Sequence, residues 1–368
     1  MIPVNEPLLI GNEKKYLNEC IQTGWISSEG PFVERFEKEM ALFSNRKYAT
    51  ACCNGTAALD LAVTALGLGE GDEVIMPTFT IISCAQALIR HGVKISLVDC
   101  DPFTFNMSAD DIELKITKNT KAIMVVHLYG LSVDIDPILE LAKKYDLKVI
   151  EDAAEMIGQT YKGKPCGSFG DVSIYSFYPN KQITTGEGGM VLCNDELLDK
   201  RLKSHRNLCF GKDRFVHYDL GHNYRMTNLQ AAIGVAQLER VESIIEKKRW
   251  IGDKYNELLG DLEMVNLPIQ RTDFCENIYW VYTVVLKDEY NKTAKDIMNA
   301  LAKFKIGTRP FFYPMHKQPV FLSKGLFHNE SYPSSENLYE KGLYLPSGLA
   351  LNENQIQEVS KCLREVLK

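Results

Sequence analysis

The sequence predicts an α/β protein, a mainly parallel sheet covered by helices on both faces and followed by a smaller α+β unit. Three observations carry this. Short, near-continuous Val/Ile-rich runs recur between residues 48 and 193, as expected of strands buried on both faces. Segments of helical spacing separate these runs, so successive strands are joined by crossovers rather than tight hairpins. Beyond residue 240 the alternation gives way to a few mixed elements. A chain of 368 residues can bury one large and one small core. The boundary is placed to give a large unit at 1–240 and a small unit at 241–368.

Residues 1–46 read as a lead-in. Lys14 to Cys20 has helical spacing, Gly24-Trp-Ile-Ser-Ser-Glu-Gly30 is turn-rich, and Pro31 to Phe43 is helical again. Trp25 is read as a packing residue, and Ser27 and Ser28 as possible contacts for a polar ligand. Seven strands then follow, at Tyr48–Ala51, Glu73–Met76, Lys94–Asp99, Ala122–Val126, Lys148–Asp152, Val172–Phe177 and Met190–Cys193. Helices are expected after Thr56 and at Ser83–His91, Ser108–Lys115 and Asp136–Tyr145. Residues 226–260 read as one long amphipathic helix with a solvated, charged stretch from Glu242 to Arg249. The remainder offers a strand at Ile278–Leu286, a helix at Thr293–Phe304, a short strand toward Arg309 and a closing helix at Glu353–Leu367. Tyr332–Ser335 and Pro346–Gly348 are assigned to loops.

Composition excludes several classes. The formal net charge is -6 and no basic stripe stands out, against a nucleic-acid binder. No apolar stretch approaches the roughly 20 residues that span a membrane, and the start lacks a basic-then-apolar leader pattern. The ten cysteines are scattered, with Cys52-Cys53 the only close pair. This suits free thiols in a reducing cytoplasm better than disulfides or a zinc site, and no metal is expected.

Several stretches point to a ligand. Ser173 to Phe177 is a buried strand that breaks at Pro179-Asn180, presents Lys181, and passes through a glycine-rich turn into the next strand. A lysine held between two buried strands is partly desolvated, which disfavours its ammonium and leaves a nucleophilic amine able to form a Schiff base. At Asn54-Gly55-Thr56 a strand turns into a helix N-terminus, where free N–H groups and the helix dipole suit a phosphate; Asn54 or Thr56 can equally be a plain N-cap. Asp152 ends a buried strand and needs a cationic or donor partner. His127 follows another strand. In a parallel sheet these ends form one ligand crevice.

Taken together, the stretches Gly24–Ser28, Asn54-Gly-Thr, Val126–Gly130, Glu151-Asp-Ala-Ala-Glu155, Asn180–Gly189, Asn223–Asn228 and Arg309–His316 resemble the DegT/DnrJ/StrS nucleotide-sugar aminotransferases, nearly end to end. The resemblance implies a fold-type I aminotransferase dependent on pyridoxal 5'-phosphate (PLP), and assigns roles by position. Lys181 matches the Schiff-base lysine, and Asp152 the acid that keeps the cofactor's ring nitrogen protonated. Gly55, Thr56 and Ser176 match a phosphate cradle. Arg225 matches a group reaching the phosphate of the neighbouring subunit, which implies a homodimer with shared active sites. Glu155 falls near the ring hydroxyl. Ser27, His127, Tyr313 and His316 are candidate substrate contacts, with a structural role for the last three equally open.

Two positions depart from the family pattern. Ile81 falls where an aromatic residue usually stacks on the ring, with Phe79 as the alternative. Tyr178-Pro179 is commoner among relatives acting on 3-keto sugars, whereas Ile183–Gly189 resembles the 4-amino group. The implied reaction moves an amino group from L-glutamate to C4 of a nucleotide-linked 4-keto-6-deoxyhexose for a surface polysaccharide such as O-antigen. GDP-4-keto-6-deoxymannose is the favoured acceptor, and a UDP- or dTDP-linked 4-keto or 3-keto sugar the alternative. Lys181 argues against a related sugar dehydratase, whose members resemble this chain but carry histidine there. Lys181, Asp152 and the cradle together argue against a silent PLP- or sugar-binding protein. No GxGxxG follows the first strand to suggest a dinucleotide enzyme.

Overall fold

The computed structural model describes residues 1–213 and 215–368. Seven strands form the large sheet: β1 (Tyr48–Cys52), β2 (Glu73–Pro77), β3 (Lys94–Val98), β4 (Thr120–Val126), β5 (Lys148–Asp152), β8 (Val172–Ser176) and β9 (Gly189–Cys193). A two-residue hairpin, β6 (Thr160–Tyr161) and β7 (Lys164–Pro165), lies between β5 and β8. The spatial order is β1-β9-β8-β5-β4-β2-β3, with β9 antiparallel to both of its neighbours. The other pairings within the sheet are parallel.

Side-chain alternation explains why these runs are apolar throughout. On β4, Ile123 and Val125 enter one core while Ala122, Met124 and Val126 enter the other. The first core holds α1 (Glu13–Thr23), α2 (Pro31–Phe43), α6 (Ile135–Tyr145) and α8 (Asn228–Leu238) against the sheet. The second holds α3 (Gly55–Leu66), α4 (Ile82–Arg90) and α7 (Glu196–Arg206). A short α5 (Ala109–Glu113) precedes β4, and α9 (Val241–Leu259) leads away from the sheet.

The C-terminal strands β10 (Val265–Asn266), β11 (Tyr282–Leu286), β12 (Arg309–Pro310) and β13 (Gly342–Leu345) form a separate antiparallel sheet, ordered β10-β11-β13-β12. With α9, α10 (Ala294–Lys303) and α13 (Glu353–Leu367) it encloses a third core around Tyr255, Tyr282, Ile297 and Leu363. The short α11 (Pro319–Leu322) and α12 (Pro333–Lys341) complete the chain. Among the described residues no helix is long and apolar enough to cross a membrane.

Five local expectations change. Residues 226–260 form two helices, α8 and α9, broken at Glu239-Arg240. Neither Pro nor Gly causes the break. Glu239 is held by the side chains of Tyr16, Asn12 and Arg35, so α8 ends against α1 and α2, while α9 continues onto α13. The stretch from Glu242 to Arg249 is not wholly solvated, because Lys248 is buried at 2% exposure. Tyr332–Ser335 opens α12, with Pro333 at its first position, where the missing N–H costs nothing. The strand expected from Ile278 starts only at Tyr282, since Tyr279 adopts a positive φ of 48°. Trp25, expected to pack, is half-exposed.

Candidate active site

A cavity of about 510 Å³ opens at the carboxyl ends of β1, β2, β4, β5 and β8. Of the residues singled out from sequence, Gly55, Thr56, Ile81, His127, Asp152, Glu155, Ser176 and Lys181 all line it.

One wall is the N-terminus of α3. Asn54 caps it by accepting the Ala57 N–H at 2.8 Å, which leaves the Gly55 and Thr56 N–H groups at the positive end of the helix dipole. The hydroxyls of Thr56 and Ser83 lie 2.9 Å apart beside it, and Ser176 borders the same wall. Gly55 is required by space: a Cβ there would meet Ser176 Cβ at 2.9 Å. Gly189, at the start of β9, passes under the same turn, where a Cβ would lie 2.3 Å from Asn54 O.

Lys181 follows β8 on a turn in which its N–H bonds Tyr178 O at 2.9 Å. Its side chain is 11% exposed, with Nζ 3.8 Å from Glu155 Oε1 and 4.0 Å from the centroid of the Trp280 ring. Burial lowers the proton affinity of this amine, while Glu155 and Asp152 pull it back up. Burial also raises the Glu155 carboxyl to about 7, against the attraction of Lys181 and the Tyr129 N–H that donates to Oε2 at 2.7 Å. Asp152, at the end of β5, is likewise raised by burial. Its Oδ1 accepts the Ala154 N–H at 3.0 Å and its Oδ2 the Cys84 thiol at 3.2 Å. Burial holds that thiol well above its usual value, so it remains a neutral donor.

Two residues, Phe79 and Ile81, are the candidates for the ring position. Phe79 is fully buried among Phe105, Tyr129, Phe311 and Phe312, whereas Ile81 is 44% exposed and faces the cavity. His127 borders the cavity with both nitrogens already engaged. Val133 N–H donates to Nδ1 at 3.0 Å, so Nε2 carries the proton and donates to Glu151 Oε1 at 3.1 Å. Glu151, one residue before Asp152 on the opposite face of the sheet, also accepts the Gly167 and Phe169 N–H groups. With Cys166 these residues form a buried cluster whose nitrogen and carboxylate atoms are satisfied by the protein itself.

The structure does not bring the remaining candidates to this cavity. His316 is buried between Thr78 Oγ1 (2.8 Å) and Glu336 Oε1 (2.9 Å). Tyr313 packs edge-on against Tyr339. Ser27 is exposed, its carbonyl accepting the Asn228 N–H. Arg225 lies outside the cavity of its own chain and donates to Asn207 Oδ1 at 2.5 Å. Sequence reasoning missed Trp280, Cys84 and Lys248, whose contacts come from packing between distant stretches.

The cavity suits pyridoxal phosphate on its own chemistry. It offers a helix N-terminus with three hydroxyls for a dianion, a buried carboxylate for a protonated ring nitrogen, an apolar side chain at the ring position, and a desolvated amine. An α/β fold with these groups at its strand ends is that of a PLP-dependent aminotransferase. The chain belongs to the DegT/DnrJ/EryC1/StrS aminotransferase family, whose model matches residues 7–364. It is 42% identical to a GDP-perosamine synthase of Vibrio cholerae, over 99% of this chain and 98% of that protein. Against the GDP-perosamine synthase of Caulobacter vibrioides the identity is 43%, over 100% and 98% of the two chains. A putative sugar aminotransferase of Streptococcus pneumoniae, solved in its PMP form, superposes with a TM-score of 0.93 over 100% of this chain and 99% of that one. At 24% identity this last likeness carries the fold alone.

Proposed function

We propose that this chain transfers the amino group of L-glutamate to C4 of GDP-4-keto-6-deoxymannose, giving GDP-perosamine for a surface polysaccharide such as O-antigen. The named activity of the relatives supports the acceptor. The observation that carries the chemistry is the meeting of the Lys181 amine, the Asp152 carboxylate and the α3 N-terminus in one cavity. When bound, PLP supplies an electron-withdrawing ring that stabilises negative charge on the substrate carbon.

The protein's own groups do the rest. The Gly55 and Thr56 N–H groups, with the hydroxyls of Thr56, Ser83 and Ser176, would hold the phosphate. Asp152, held by the Cys84 thiol, would pair with a protonated ring nitrogen. Ile81, which faces the cavity, would pack against the ring. Lys181 Nζ would serve first as the nucleophile and then, once released, as the base and acid that moves the proton. Burial supports both roles, because it lowers the lysine's proton affinity toward working pH. Glu155 sits beside this amine and holds its charged form. The amino group passes in two halves, and 2-oxoglutarate leaves after the first.

The placement of Arg225 outside its own chain's cavity supports a homodimer in which it serves the neighbouring site. Two separate sheets and cores support a large cofactor-binding unit at 1–240 and a small unit at 241–368. Ten free thiols support a cytoplasmic setting. An absorbance spectrum of the purified protein, with PLP and then with L-glutamate, tests the chemistry. A visible band that bleaches with glutamate is expected, and a protein that stays colourless with PLP overturns the reading. A panel of GDP-, UDP- and dTDP-linked ketosugars then tests the acceptor, with turnover of a UDP- or dTDP-sugar alone overturning the GDP assignment.

A further inference from the structure

Trp280 joins the lysine loop to helix α9. Its indole Nε1–H donates to Asn180 O at 2.8 Å, one residue before Lys181. Its own carbonyl accepts from Lys248 Nζ at 2.6 Å, and the same Nζ donates to Ser347 O at 2.7 Å. Its ring stacks at 12° on Tyr129, whose N–H donates to Glu155. The indole is thus held at its nitrogen, its backbone and its face, with Lys181 Nζ 4.0 Å above the centroid.

A lysine that must leave a covalent bond and then carry a proton needs a defined place for its free amine. Burial leaves the Lys181 side chain only 11% exposed, so water alone defines that place poorly. An indole face attracts an ammonium through its quadrupole and offers no group that competes for the proton. Around the amine stand the carboxylates of Glu155 and Asp152 and the thiol of Cys84. Among them the Trp280 ring offers an aromatic face 4.0 Å from the amine.

We propose that Trp280 is a positioning residue whose indole face seats the protonated Lys181 amine, and that Lys248, through the Trp280 carbonyl, holds the ring in that place. This rests on the reading of Lys181 as the reacting amine.

The test uses the full-length chain freed of cofactor, so it reads the seat rather than turnover. Trp25→Phe and Trp250→Phe leave Trp280 as the sole tryptophan of the three. It is then replaced biosynthetically by mono-, di- and trifluorinated tryptophan, which weaken the ring face at nearly constant size. The readout is the pH midpoint of Lys181 acylation, followed on its own peptide by mass spectrometry. The midpoint is expected to fall stepwise, by about one pH unit or tenfold in proton affinity across the series. A midpoint indifferent to fluorine overturns the proposal. In Lys248→Met the dependence on fluorine is expected to flatten, and an unchanged slope removes Lys248 from it. The fluorine series needs no change at position 248 and decides the tryptophan's role by itself. A failed PLP spectrum with an intact fluorine slope would sink the proposed function and leave this seat standing; the reverse pattern would sink only the seat.

Discussion

Two buried lysines stand on either side of Trp280, and they are buried for opposite reasons. Lys181 points over the indole ring into an open cavity, with Glu155 and Asp152 close by. Lys248 points at the indole's backbone inside the packed junction of α9 and the small sheet, and its only hydrogen bonds among the described residues are to the carbonyls of Trp280 and Ser347. Burial lowers the proton affinity of both. For Lys181 two carboxylates oppose it, so the lowering is partly offset. For Lys248 burial prevails and brings it to about 7. A neutral amine has two N–H groups, and two carbonyls are what it meets. Desolvation alone therefore does not mark a reactive lysine. The neighbouring acids and the space for a ligand distinguish Lys181.

The largest expected effect breaks the comparison at its reactive end. Lys181→Ala should abolish transamination, by a factor on the order of 10⁴ or more, with the melting curve unchanged. Turnover surviving at a tenth of the original rate would move the chemistry elsewhere. Asp152→Asn keeps shape and removes charge. It should slow the glutamate half-reaction by about 10²- to 10³-fold in single-turnover absorbance, the scale of losing one preorganised charge partner. A change of less than threefold would argue that Asp152 is only a structural cap for the Ala154 N–H.

Lys248 tests the other end through stability. Its folded value near 7 lies below the usual value near 10.5. Between these values the unfolded chain binds the extra proton, so stability rises with pH, and each pH unit of that interval contributes about 1.4 kcal/mol. Below about 7 both states are protonated and this contribution is flat. Denaturant unfolding between pH 7 and 9.5 should show the rise, and Lys248→Met should remove it. A slope that persists in the variant would assign it to another group.

The large sheet was legible because strands buried on both faces must be apolar at every position, and few other structures write Val/Ile runs so regularly. The small sheet was harder. Gly342–Leu345 is four residues long and pairs with strands far away in the chain, so nothing local marks β13 as a strand. Pro333 looks like a loop breaker and is a helix start. In the cavity, Asp152 and Lys181 were legible from the strand ends, and Gly55 and Thr56 from a strand turning into a helix, whereas Ser176 was named only by the family resemblance. Trp280 was not, since its bond to Asn180 spans 100 residues. Lys248 was hidden by a run of charged neighbours, although one face of α9 had to be buried. Ser27, Tyr313 and His316 had polar side chains in family stretches and lie outside the lining of this chain's cavity.

The smallest expected effect sharpens what separates the two lysines. If acids offset the burial of Lys181, then Glu155→Gln, which preserves size and removes the acid 3.8 Å away, must let burial act more fully on the amine. The acylation midpoint of Lys181 should fall by about one pH unit, because an opposite charge at this range favours the protonated form by that much or more. The same substitution leaves both carbonyl partners of Lys248 in place, so its stability slope should stay as it was. If the Lys181 midpoint instead rises, water has entered beside the amine and relieved its desolvation, and burial rather than the carboxylate would be the dominant control. If both lysines shift together, Trp280 transmits the change between them, and the two sites are one coupled unit rather than two opposed ones.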